Sequence, residues 1–139
     1  MREILFRGKR TDCGEWVEGD LIQAFRGNQL SACSIMPHTP TAYCWRVDLE
    51  TVGQYTGLTD KNGVRIFEGD ICRFKRYNDI YNGKIVFNVK TASFIMWYQS
   101  IVGAYSEKAT HKMLLSVCND IEVIGNIHDN TELLENSSL

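Results

Sequence analysis

The sequence predicts a mainly β protein, and two observations lead there. The first is a repeated order of residues. Thr11-Asp12-Cys13-Gly14 precedes Glu18-Gly19-Asp20-Leu21, and Thr59-Asp60-Lys61-Asn62-Gly63 precedes Glu68-Gly69-Asp70-Ile71. Each copy passes from a Thr-Asp and a turn glycine through a short apolar step to Glu-Gly-Asp and a strand. That order indicates internal duplication of a β unit. The second observation is a succession of short apolar segments separated by turn residues, with only two prolines in 139 residues. A Gly-Asp bend leading into a strand, a loop and a tight meander is common in SH3-type barrels. The expected architecture is therefore one or two small SH3-type barrels with a short C-terminal helical segment. One domain spanning the chain is expected, built from two related β units at approximately 1–55 and 56–139.

The elements follow in order. Ile4 and Phe6 alternate with Leu5 and Arg7 in a first strand. Gly14 turns the chain, and Glu15 to Ala24 forms a second strand interrupted at Gly19, where glycine permits a bulge or bend. Arg26-Gly27-Asn28-Gln29 is a hairpin tip, and Leu30 to Met36 returns. Pro37 to Thr41 is a proline-marked loop. In the second unit, Asn62-Gly63 is a turn signal. Asp70 to Tyr77 is a strand and Asn78 to Gly83 a loop. Lys84 to Val89 then alternates, with Ile85, Phe87 and Val89 on one face. Phe94 to Tyr98 is a strand apolar on both faces. Ser106 to Cys118 is the best helix candidate: Ser106 is a suitable N-cap, and Ala109, Met113 and Val117 recur at i, i+4. Ile121, Val123 and Ile127 mark a closing strand, Thr131 to Glu135 a helical turn, and Asn136 to Ser138 a frayed end.

Composition narrows the chemistry. The hydrophobic fraction of 44% and charged fraction of 23% are those of a soluble globular protein. The net charge of −2 argues against wholesale polyanion binding but leaves room for a local basic face. No apolar run is long enough to cross a bilayer, and the N-terminus has no signal-peptide core. The five cysteines are odd in number and form no CxxC pair, so free thiols in a reducing cytoplasm are expected.

No catalytic, metal or cofactor motif emerges. Glu18 with Asp20, and Glu68 with Asp70, form two isolated acidic pairs, too few oxygens for a hard cation. His38, His111 and His128 have no metal-ligand spacing. Two surfaces remain. Arg73, Lys75 and Tyr77 alternate along one strand, and Lys84 joins their face if its strand pairs beside them. Charge for phosphate and a ring for a base are what single-stranded nucleic acid requires. The alternative is a solvated face whose cations deter edge pairing. The second surface is the stripe Phe94, Met96 and Tyr98, opposite Ile95 and Trp97. Phe94, Met96, Trp97 and Tyr98 are candidates for a protein interface, with core packing the competing role.

Three blocks carry a family resemblance. One is Ile4-Leu5-Phe6-Arg7-Gly8-Lys9 with Gly14-Glu15-Trp16-Val17-Glu18-Gly19-Asp20-Leu21. The second runs from Gly53-Gln54 and Tyr55-Thr56-Gly57-Leu58-Thr59-Asp60 to Ile66-Phe67-Glu68-Gly69-Asp70-Ile71. The third is Ile121-Glu122-Val123-Ile124-Gly125-Asn126-Ile127-His128-Asp129-Asn130 with Glu132-Leu133-Leu134. The chain resembles the YopX family of bacteriophage and prophage proteins over nearly its whole length. Ala24 to Leu49 carries no family motif. The resemblance implies a small, mostly β, SH3-type protein acting in the cytoplasm of a bacterial host. It brings no catalytic residue, cofactor or metal. The expected role is a non-enzymatic protein-interaction module binding a host or phage protein or itself. The alternative is a nucleic-acid-binding accessory factor using the basic face.

Overall fold

In the computed structural model residues 1–39, 43–102, 107–115 and 118–135 are described, and the chain divides into two units, Met1–Gly57 and Leu58–Leu139. Pro40 and Thr41 of the proline loop, Ser106 and Val117 of the expected helix, and the expected frayed end lie outside the described residues.

The first unit contains β1 (Phe6–Lys9), β2 (Trp16–Arg26), β3 (Gln29–Met36), β4 (Trp45–Val47), a 3-10 turn at Leu49–Thr51, and β5 (Gly53–Thr59), which crosses the unit boundary. The strand order is β4-β3-β2-β1-β5. Alternation puts Cys33 and Ile35 of β3 inward, where they meet Val47 and pack with Phe6, Val17, Leu21 and Val52. Thr51 ties the 3-10 turn to β1: its hydroxyl accepts the Lys9 N–H at 2.8 Å and donates to the Asp48 carbonyl at 2.7 Å.

The second unit contains β6 (Arg65–Phe67), β7 (Asp70–Arg76), β8 (Asp79–Asn88), β9 (Ser93–Val102), β10 (Glu107–Leu114), β11 (Asn119–Asn126) and α1 (Glu132–Glu135). Its main sheet has the order β10-β9-β8-β7-β11, with the paired strands antiparallel. One face carries the core: Cys72, Phe74, Ile85, Met96 and Tyr98, joined by Ile66 and Leu115. Phe74 and Tyr98 meet edge to face at 4.9 Å, and Tyr98 stacks on His111 at 4.8 Å.

The mainly β class and the short C-terminal helix agree with the sequence. Four expectations are corrected. The sheets are open, with edge strands at both ends, and neither closes into a barrel. Residues Glu107–Leu114 form strand β10, not a helix. The i, i+4 spacing of Ala109 and Met113 is an even number, so it satisfies a period of two as well as 3.6. The exposed edge of β9 then selects the strand, pairing Ala109 with Ser100, His111 with Tyr98 and Met113 with Met96. Third, Asn78 to Gly83 is not a loop. β8 begins at Asp79, and the turn is only Tyr77-Asn78, both with positive φ of 52° and 69°. Asn82-Gly83 lies within β8, where a side chain on Gly83 would strike the Met96 sulfur at 2.7 Å and the Trp97 carbonyl at 2.9 Å.

The fourth correction concerns the repeated tripeptide. Gly19 is buried inside the continuous strand β2, without a positive φ, because any β-carbon there would overlap the Met36 carbonyl oxygen. Gly69 is in a turn with φ 91°. Asp70 is buried and its Oδ2 accepts the Phe67 N–H at 2.7 Å, whereas exposed Asp20 meets His38 at 2.7 Å. The same three residues thus serve a close strand crossing in one unit and a tight turn in the other.

Candidate binding face

Register decides which side chains share a face. Lys84 lies opposite Ile71, and Asn82 opposite Arg73, so the face of β7 bearing Arg73 and Lys75 is also the Lys84 face of β8. Lys84 lies opposite Trp97 on β9, and Trp97 lies opposite Lys112 on β10. Arg73 and Lys75 of β7, Lys84 of β8 and Lys112 of β10 therefore project on one side of the sheet, with Trp97 and Gln99 of the intervening β9 among them. The Lys84 ammonium sits 4.5 Å from the Trp97 ring centroid. A groove of about 280 Å³ beside them is lined by Asn82, Lys84, Trp97, Gln99, Thr131, Leu134 and Glu135. The Asn82 amide donates to the Leu133 carbonyl at 2.9 Å, fixing α1 as the groove wall.

Acidic groups border this face. Glu122 of β11 is paired with Arg73 in register and lies 3.6 Å from the Lys61 ammonium. Asp120 lies 3.9 Å from the Lys75 ammonium. All of these are solvent-accessible pairs, which hold cations weakly and yield them to a phosphate at modest cost.

Tyr77 does not continue the alternation. It leaves β7 at the turn and is 80% exposed. Its hydroxyl accepts from Arg76 at 3.2 Å, and the Arg76 guanidinium lies 4.8 Å from its ring. The ring is thus displaced to the hairpin tip beyond Lys75. Sequence missed Lys112 because β10 is expected there to be helical, and Gln99 because the expected strand stops at Tyr98, whereas β9 runs to Val102. The alternation of Thr110 and Lys112 against Ala109, His111 and Met113 is the signal that finds Lys112.

The apolar stripe is corrected. Met96 is fully buried and Tyr98 3% exposed, both in the core of their own unit. Phe94 is half-buried and packs against the same core, meeting Phe87 at 5.2 Å. Trp97 lies on the opposite, basic face. The four residues form no common contact surface, because alternation divides them between two sides of the sheet.

Catalytic constellations are sparse. Ser100 Oγ and His111 Nε2 lie 2.6 Å apart, but no carboxylate orients that ring among the described residues. Among the described residues, no group of three or more His, Cys, Asp or Glu is placed to hold a metal ion. The five cysteines are free thiols. Burial pushes the Cys118 thiol up to about 11, and raises Cys33 as well. Among the described residues no helix is long and apolar enough to cross a membrane.

The sequence model of the family described as YopX protein matches residues 5–135. No curated protein matches the chain. Among solved structures, the chain is similar to that of protein EF1440 from Enterococcus faecalis, with 26% identity and a TM-score of 0.54, covering 96% of this chain and 99% of that one.

Proposed function

The chain belongs to the YopX family, and we propose that it is a non-enzymatic accessory protein that binds single-stranded nucleic acid on the basic face of its second unit. The observation that carries this reading is the Lys84 ammonium over the Trp97 ring, on the face that also bears Arg73, Lys75 and Lys112. A base stacking on Trp97 displaces the ammonium towards a phosphate, so one residue pair supplies both contacts that a single strand needs. Exposed Tyr77 extends the track at the hairpin tip. The protein-interaction role expected from sequence remains a second reading. Burial of Met96 and Tyr98 removes two of its residues, and the exposed apolar side chains Ile22, Phe25 and Leu30 support it instead.

The setting we propose is that of a phage or prophage protein in the cytoplasm of a bacterial host. Two finer readings belong to the same proposal. One is an SH3-type ancestry for the second unit's meander. The other is descent of both units from one duplicated segment, supported by their shared order of Thr-Asp, glycine and Glu-Gly-Asp.

The test is fluorescence anisotropy of a labelled oligonucleotide across a salt series. The protein should bind at low salt, and Arg73→Glu with Lys75→Glu should abolish binding while circular dichroism stays unchanged. Absence of binding by the unmodified protein at low salt, or its retention by the double variant, overturns the reading.

A further inference from the structure

The β2–β3 hairpin continues past the rest of its sheet. β1 pairs with β2 only from Trp16 to Gly19, and β4 pairs with β3 only from Cys33 to Ile35. Asp20–Arg26 therefore presents a strand edge with no paired strand on its outer side among the described residues. Residues 22–31 are all exposed, including Ile22, Phe25 and Leu30 at 43%, 57% and 40%. Natural edges are usually blunted by lysine, proline or a bulge in the edge strand. This edge has neither lysine nor proline. The hairpin's register shift pairs Ala24 with Ala32 and Phe25 with Leu30, so the extra residue is Ser31 of β3 and the alternation of β2 is intact.

We propose that this edge is a self-association site, at which β2 of one copy pairs antiparallel with β2 of a second copy about a twofold axis through Gln23. The occupant follows from charge and register. A twofold pairing is isologous, so each residue meets a partner fixed by one centre. With the centre at Gln23, Asp20 faces Arg26 at both ends, Leu21 faces Phe25, and Ile22 faces Ala24. Opposite charges meet twice, apolar side chains meet between them, and the whole free stretch is used. A centre at Ile22 drives Arg26 onto Glu18, where β1 already occupies the edge. A centre at Ala24 sets Arg26 against Ile22 and leaves Asp20 outside. Asp20 meets His38 through Oδ1, which leaves Oδ2 for the partner's arginine. The joined strands form a sheet continuous across two copies, the strand-addition mode of recognition. This site is separate from the basic face and stands without it.

The experiment is sedimentation equilibrium of the full chain under reducing conditions, over a concentration series. The unmodified protein should show a reversible monomer–dimer equilibrium. Arg26→Glu places like charges at both ends and should raise the dissociation constant about tenfold. Asp20→Lys combined with Arg26→Glu reverses both charges and should restore the original constant. A parallel pair of variants reads the register. Gln23→Cys sits at the twofold centre, within reach of its own copy, and should form a covalent dimer on oxidation in excess of the unmodified protein. Gln29→Cys, on the other strand, should not. A monomer at every concentration, an unchanged constant for Arg26→Glu, failure of the double variant to recover, or cross-linking through position 29 rather than 23 overturns the proposal.

Discussion

Asp60 and Val123 are joined by a hydrogen bond: Asp60 Oδ2 accepts the Val123 N–H at 2.9 Å. Asp60 Oδ1 accepts the N–H groups of Asn62 at 2.8 Å and Val64 at 2.9 Å. One buried carboxylate thus closes the turn before β6 and holds β11 to it, and the Lys61 N–H adds a bond to the Ile121 carbonyl at 2.9 Å. Burial by itself raises the carboxyl's pKa, but the three backbone donors outweigh it and the pKa is lowered.

Asp60→Asn should destabilise the protein by about 1–3 kcal/mol, because the amide cannot serve all three donors. A lowered folded-state pKa means the carboxylate's contribution is complete above the ordinary carboxylate range. It is lost as pH falls through the folded-state value. Urea unfolding from pH 7 downward should show a steeper loss in the unmodified protein than in Asp60→Asn. Parallel pH profiles would refute the assignment.

Gly69→Ala should cost about 1 kcal/mol or more, since its φ of 91° disfavours a side chain. Gly19→Ala should cost more, because the obstacle is the Met36 backbone carbonyl rather than a movable side chain. Chemical denaturation of the two variants ranks them. The opposite order would mean that β2 and β3 separate easily at Gly19.

Trp97→Ala should weaken oligonucleotide binding by about 1–3 kcal/mol, the range for loss of one stacked base. Lys84→Ala should instead reduce the salt dependence by about one phosphate contact. Anisotropy titrations at several salt concentrations separate the two. Equal salt slopes for Lys84→Ala and the unmodified protein would exclude a phosphate role.

Thiol reactivity at pH 8 should divide the cysteines. Cys13 and Cys44 are exposed and should react with an aromatic disulfide at once. Cys33, Cys72 and Cys118 should wait for unfolding, Cys118 because its pKa near 11 leaves little thiolate. Immediate reaction of all five in the native protein would contradict the packing around β3 and β7.

Tyr77→Asn should stabilise the β7–β8 hairpin by about 0.5–1 kcal/mol, because asparagine accepts the left-handed backbone that tyrosine resists. Thermal unfolding measures the gain. A lowered midpoint would mean that the Arg76 contact outweighs the backbone cost.

Much of the fold was legible where alternation and turn chemistry agreed. Gly27-Asn28 marked the first hairpin, and Ile85 and Phe87 alternated as β8 requires. Thr131 to Glu135 contained the short helix α1. The failures came where local signals were degenerate. Ala109 and Met113 fitted two periods, and only the waiting edge of β9 chose between them. Asn82-Gly83 looked like a turn, but its glycine is required by the closeness of Met96. For the candidate face, Arg73, Lys75 and Lys84 were found because a strand's alternation is local. Tyr77 was misplaced by a backbone turn that tyrosine rarely takes, and Lys112 was hidden by the helix assignment.

The order β10-β9-β8-β7-β11 has a kinetic consequence. Four strands follow one another along both the chain and the sheet, so each joins its predecessor by closing a short loop. β11 must return past all of them to reach β7, and the entropy of that closure grows with the logarithm of the intervening chain. Once the four-strand meander has formed, the span is already drawn together and the remaining search is small. Assembly therefore spreads outward from the Tyr77-Asn78 turn, and the bond between Asp60 and Val123 is among the last to form and the first to open. The last refolding phase of this protein should report the arrival of β11.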